Sequence, residues 1–181
     1  MSLPGGSLMN PFWSNIFRGT GYEDSVAYFL STIPIFEDLK PKELKLLEGM
    51  VHTRTYRPDE VIFHEGDIGS GMYCIRSGQV SIFNNDSAGR AVEQAQLGPG
   101  DFFGEVALTV QKPRIATARA VEPTVLLGLF RADLHEAINK YPAVTSKILL
   151  GLSRCISDRL QYAALKLHQF GSNSYPPADR E

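Results

Sequence analysis

Between Val51 and Phe130 the chain is cut into short stretches of β-branched, aromatic and alternating residues, each stopped by a turn signal. The stretches are VHTRTYR, EVIFHEG, MYCIRSG, QVSIFNN, AVEQAQLG, ATARAV and TVLLGLF. Gly66, Gly78, Gly89, Gly98 and Gly100 sit at or beside the breaks, and Asn84-Asn85-Asp86 precedes Gly89. They read as strands, because they alternate or run apolar and are bounded by turn residues. Many short strands at such spacing predict an antiparallel barrel or jelly roll.

Helical patterns flank this region. In EDSVAYFLSTI, Val26, Phe29, Leu30 and Ile33 share one helical face, Glu23 and Asp24 suit its N-terminal dipole, and Pro34 should end it. PKELKLLEGM predicts a second short helix with Pro41 in its first turn. After Phe130, RADLHEAINKY is helical up to Pro142, and one long helix runs from Ala143 to about Leu167. Its apolar stripe is Leu149, Leu152, Ile156, Leu160, Ala163 and Leu167, at the helical period. That stripe is longer than a small roll can cover, which predicts a homodimer paired through the 143–167 helix. Residues 1–20 read as a flexible segment that docks through Phe12, Trp13 and Phe17, and residues 171–181 as a disordered tail. The expected domain is 21–170, with helices over 21–50, the roll over 51–130 and C-terminal helices over 131–170.

Composition excludes several classes of function. A net charge of −2 lacks the basic face that phosphate neutralisation needs, so direct nucleic-acid binding is not expected. There is no apolar run long enough to span a membrane and no signal-peptide pattern, which predicts a cytoplasmic protein. Two cysteines, Cys74 and Cys155, cannot build a disulfide scaffold, and both read as reduced, packed thiols. His52, His64, His135 and His168 are scattered without metal spacing, so no metal site is expected. A metal-dependent jelly-roll enzyme would need a His-x-His cluster, which is absent. No residue is assigned a catalytic role.

The chemistry concentrates in FFGEVALTVQKPRIATARAV, residues 102–121. Arg114 offers planar, bidentate donors to an anion. A helical turn starting at Gly104-Glu105 leaves N–H groups that suit an anion, and Gly104 permits close backbone approach. An ionised Glu105 accepts from a hydroxyl. Nothing here requires bond breaking. The pair reads as a clamp for a ligand with a hydroxyl at one end and a phosphate at the other. The plainer reading is that Glu105 and Arg114 pair with each other.

The same stretch resembles the phosphate-binding cassette of the cyclic-nucleotide-binding domain family. That family includes the catabolite activators, kinase regulatory subunits and cyclic-nucleotide-gated channels. Phe103, Gly104, Glu105, Ala107, Leu108, Pro113, Arg114, Ala116 and Thr117 fall at its Phe-Gly-Glu-x-Ala-Leu and Pro-Arg-x-Ala-Thr positions without insertion. FHEGD, MYCIRSGQVSIF and LGPGDFFGE resemble its glycine corners. The resemblance covers about residues 26–165. It implies a mainly β fold: an eight-stranded antiparallel β-roll (a double-stranded β-helix or jelly roll) with N-terminal helices and a long C-terminal helix. It implies cAMP as ligand, Arg114 on the phosphate and Glu105 on the ribose 2′-hydroxyl. Backbone N–H groups of Gly104, Ala107 and Ile115 complete the set, and the site spans Gly104, Glu105, Val106, Ala107, Leu108, Arg114, Ile115 and Ala116. Ile115 stands where relatives preferring cGMP often carry threonine, which favours cAMP. Gln111 replaces a common glycine. On the long helix, Ala163 and Ala164 stand where catabolite activators hold the adenine by hydroxyls, so base recognition is expected to be apolar or to use Arg159 or Tyr162. The implied function is a cyclic-nucleotide sensor acting through its long helix on a protein effector. The alternatives are the sensor portion of a catabolite-activator-type regulator, or a degenerate oligomerisation module. With only residues 171–181 after the long helix, no DNA-binding domain is expected in this chain.

Overall fold

The computed structural model describes residues 25–172. Helix α1, Val26–Ser31, is capped by the Ser25 hydroxyl, which accepts from the Tyr28 N–H at 3.1 Å. A 3-10 turn, Pro34–Phe36, leads to helix α2, Pro41–Glu48. The strands are β1 (His52–Tyr56), β2 (Val61–Phe63), β3 (Gly71–Ser77), β4 (Val80–Asn85), β5 (Ala91–Leu97), β6 (Phe102–Phe103), β7 (Thr117–Ala120) and β8 (Thr124–Phe130). A second 3-10 turn, Glu105–Leu108, lies between β6 and β7. Helices α3, Arg131–Lys140, and α4, Pro142–Ser172, follow the roll.

The expected eight-stranded antiparallel roll with flanking helices is the observed fold. One sheet has the order β1-β8-β3-β6 and the other β2-β7-β4-β5. In the first sheet β3 and β8 are buried on both faces, whereas β1 is exposed over residues 52–55. The outer face of this sheet (Met72, Cys74, Leu127, Leu129) packs under Leu30, Ile35, Phe36, Leu44, Leu134, Ile148 and Leu152 from the helices. Its inner face (Ile75, Leu126) meets Val80, Ala118 and Ala120 of the second sheet inside the roll. Double burial explains why TVLLGLF is a continuous apolar run rather than an alternation. Cys74 lies in the outer cluster, where burial pushes its thiol up to about 12, and half-buried Cys155 packs against the same cluster.

Four local expectations change. β6 has two residues, too short to show a periodicity; it exists because Phe102 and Phe103 pair with Cys74 and Tyr73. Helix α1 ends at Ser31, before Pro34, because the Ser31 and Thr32 hydroxyls turn back onto the carbonyls of Tyr28 and Phe29. Pro34 instead opens the first 3-10 turn. The long helix begins at Pro142 itself, whose fixed φ suits a first helical position, and it runs on to Ser172, into the tail expected from 171. Glu23, Asp24, the aromatics at 12, 13 and 17, and residues 173–181 lie outside the described residues.

Helix α4 is held to the N-terminal helices at three points. Lys147 pairs with Glu43 at 2.7 Å, Arg154 pairs with Asp38 at 2.6 Å, and between them Gly151 lies against the first 3-10 turn. The apolar stripe of α4 divides in consequence. Leu149, Leu152 and Ile156 pack on the helical core, whereas Leu160 and Leu167 are 69% and 73% exposed. No helix among the described residues is long and apolar enough to cross a membrane, and no group of His, Cys, Asp and Glu there could hold a metal ion.

Candidate functional site

A cavity of about 600 Å3 opens between the second 3-10 turn, the second sheet and helix α4. Its walls include Phe63, Ile82, Ala95, Leu97, Phe102 and Phe103, with Asn84, Gln94, Glu105, Lys112, Arg114 and Arg159 as the polar groups. Gly104, Val106, Ala107, Ile115 and Ala116 also line it. Leu108 does not. It is 1% exposed in the helical core and anchors the turn from behind. Tyr162 also lies outside the lining; it is 63% exposed, with the Lys166 ammonium over its ring. Ala163 and Ala164 are exposed on the same free part of α4.

Arg114 is not carried by a regular strand. β7 begins at Thr117, and Arg114 lies in an extended stretch stitched to the β2–β3 loop. Gly69 N–H donates to Lys112 O at 3.0 Å, Arg114 N–H to Asp67 O at 2.8 Å, and Gly66 N–H to Arg114 O at 2.9 Å. The guanidinium donates from Nη1 to Gly104 O at 3.1 Å and from Nη2 to Gly71 O at 2.7 Å. It stacks 4.1 Å above the Phe63 ring. Burial holds its pKa below the usual arginine value, opposed by Tyr73, Glu105 and Asp67. A guanidinium has five N–H donors, so two carbonyls leave donors over for an anion.

Close approach explains the glycines around it. Gly104 has φ +75°, and a Cβ there would meet Arg114 Nη1 at 2.5 Å. A Cβ on Gly69 would fall 2.7 Å from that of Ala107. Gln111 needs no glycine: among the described residues the one non-glycine with positive φ is Asp59.

Glu105 and Arg114 do not pair with each other. Glu105, 7% exposed, accepts from Arg159 Nη1 at 2.6 Å instead. Arg159 also donates to Phe102 O at 3.1 Å and lies 4.5 Å over the Phe102 ring. A buried carboxylate needs such a partner, because desolvation without compensation costs several kcal/mol. Half of the Arg159 side chain remains exposed, so this helix reaches the cavity through one residue. The Ala107 N–H, expected free, donates to Gly104 O at 3.1 Å within the turn.

Two further residues had no local signal. Asn84 Nδ2 donates to Ile115 O at 2.6 Å, bracing the segment after Arg114 from β4. Arg131, first in α3, donates from Nη1 to Ala107 O at 3.0 Å and Gly69 O at 3.2 Å. It ties the 3-10 turn to the start of the C-terminal helices. Both contacts join residues 24 or more apart in the chain.

The site therefore presents a stacked, braced cation and a buried carboxylate in one partly apolar cavity, with a half-exposed cation on the helix above. Residues 53–141 match the family model for the cyclic nucleotide-binding domain. The chain is 38% identical over 134 residues to the cyclic AMP receptor protein of Thermus thermophilus, covering 74% of this chain and 60% of that protein. It is 33% identical over 92 residues to a cAMP-dependent protein kinase regulatory subunit of Blastocladiella emersonii, covering 51% of this chain and 23% of that one. The crystal structure of the Thermus thermophilus catabolite activator protein superposes with a TM-score of 0.68 at 36% identity, over 76% of this chain and 63% of that chain. The chain thus spans less than two thirds of the length of either curated relative. Fold, cassette residues and sequence similarity agree, and the chain belongs to the cyclic nucleotide-binding domain family.

Proposed function

We propose that the protein is a cAMP sensor in which Arg114 holds the cyclic phosphate and Glu105 the ribose 2′-hydroxyl. The observation that carries this reading is that the two side chains line one cavity without pairing with each other. A monoanionic phosphodiester fits a braced bidentate cation, and a ribose hydroxyl fits an acceptor-only carboxylate. The purine packs on Ile82, Ala95 and Leu97, with exposed Ile115, Val106 and Val110 at the rim. Ile115 has no hydroxyl for the guanine 2-amino group, which favours cAMP by about 1–2 kcal/mol. Ligand entry brings a second group to Glu105, so Arg159 must share or yield the carboxylate. That exchange couples occupancy to the position of α4, and α4 carries the signal to a protein effector. Such coupling needs unequal affinities for two helix positions. The chemistry asked of the site is binding, and the setting is cytoplasmic.

Titration calorimetry on nucleotide-free protein tests this reading. cAMP should bind at micromolar concentration or tighter, and cGMP more weakly; no heat with either overturns the proposal. Glu105→Ala should bind cAMP more weakly than the parent, and 2′-deoxy-cAMP should then lose little more. A large further loss would place the ribose partner elsewhere.

The exposed half of the stripe, Leu160, Ala163 and Leu167, supports pairing of two α4 helices side by side. The protein should sediment as a dimer at micromolar concentration, and a monomer with and without cAMP would exclude the pairing. The similarity to the cyclic AMP receptor protein over 60% of its length supports a second reading, the sensor portion of a catabolite-activator-type regulator.

A further inference from the structure

Gln94 is placed by an irregularity in the sheet. In the β4–β5 pair, Ile82 lies opposite Ala95 and Phe83 opposite Glu93. Gln94 is therefore the extra residue of a bulge. A bulge takes one side chain out of the strand's alternation and re-aims it, and Gln94 lines the cavity. Two carboxamides line it in all, Asn84 and Gln94. Asn84 is committed by its 2.6 Å bond to Ile115 O. The Gln94 amide donates at 3.3 Å to Val92 O, two residues back on its own strand. That is beyond the usual range of about 2.7–3.2 Å, so little is lost when the amide turns to a ligand. It stands on the wall where Ile82, Ala95 and Leu97 supply apolar surface. Glu105 and Arg114 come from the 3-10 turn and from the stretch before β7. A ligand gripped by those two at its ribose and phosphate has its base left for the β4–β5 wall.

We infer, resting on the cyclic-nucleotide reading above, that Gln94 is the base-reading residue and selects a 6-aminopurine. Its carbonyl accepts from N6 and its NH2 donates to N7, the bidentate match of a carboxamide to adenine. Guanine presents two acceptors, O6 and N7, on that edge, and the Gln94 carbonyl would then face O6. The apolar rim at Ile115 disfavours cGMP from one side, and Gln94 does so by a separate contact.

The test is calorimetric titration of nucleotide-free parent and Gln94→Leu with cAMP, 7-deaza-cAMP and cGMP. Leucine is close to glutamine in size and the position is exposed on its strand, so the fold is preserved. The parent should bind 7-deaza-cAMP about tenfold more weakly than cAMP, the size of one lost hydrogen bond. In Gln94→Leu that difference should shrink to about twofold or less, cAMP affinity should fall about tenfold to a hundredfold because both contacts are lost, and the preference over cGMP should narrow. If the parent binds cAMP and 7-deaza-cAMP equally, or Gln94→Leu keeps the parent's preferences, the assignment of Gln94 is overturned while the sensor reading stands. If neither protein binds cAMP, the sensor reading fails and this inference fails with it.

Discussion

Arg114→Ala should weaken cAMP binding by about 2–5 kcal/mol, from about 30-fold to a few thousand-fold, the range for removing one partner of a desolvated charge pair. The size follows from the setting. The guanidinium is partly buried, stacked on Phe63 and fixed by the carbonyls of Gly104 and Gly71, so it needs little reordering to meet a phosphate. The same bonds give Arg114 a structural role, since it joins the 3-10 turn to the start of β3. Two measurements separate the roles. The thermal midpoint of the ligand-free variant reports the lost brace. The affinity of Arg114→Lys reports the fork, because lysine keeps the charge and loses the bidentate geometry. Arg114→Lys should fall between the parent and Arg114→Ala. Parental affinity in Arg114→Ala would sink the phosphate assignment.

Gly151→Ala should lower stability by about 2–3 kcal/mol, although alanine is the better helix former by about 1 kcal/mol. A Cβ at Gly151 would lie 2.8 Å from the Ile35 carbonyl carbon, and closer still to its oxygen. The obstacle is backbone, so no rotamer relieves it. Helix α4 must lift off the first 3-10 turn and strain the Lys147–Glu43 and Arg154–Asp38 bonds on either side. For a domain of this size the thermal midpoint should drop by roughly 4–12 °C. Gly98→Ala is the control, since a Cβ there meets nothing within 4 Å. The displacement reaches the site as well. Arg159 stands about 12 Å further along the helix, and its bond to Glu105 depends on how α4 lies. Gly151→Ala should therefore shift cAMP affinity as well as stability. A variant at least as stable as the parent would show that the close crossing carries no strain.

The roll was legible in the chain because turn glycines and short apolar stretches are local signals. β6 was not, since its two residues acquire strand character from their partners on β3. The cassette was legible as residue types at fixed spacing, and Gly104, Glu105 and Arg114 do share one cavity. The partner of Glu105 was not. A guanidinium ten residues from Gly104 braces that glycine's carbonyl, and one 54 residues from Glu105 takes the carboxylate. Which cation reaches Glu105 depends on where α4 crosses the sheet, and the contact of Gly151 with Ile35 sets that crossing. Tyr162 shares a helix with Arg159 yet lies outside the cavity, because it stands most of a turn further along α4, on the stretch where every residue is exposed.

By itself the sequence determined the strand-rich roll, the glycine corners, the cassette and the helices that flank them. Each is written in residues close together in the chain, through backbone preference and apolar period. Tertiary structure alone decided that Arg159 neutralises Glu105, that Asn84 and Arg131 brace the cassette, that Gln94 enters the cavity, and that the stripe of α4 is half buried and half free. Those outcomes depend on how distant elements cross, and a crossing is fixed by packing between surfaces that no local pattern encodes.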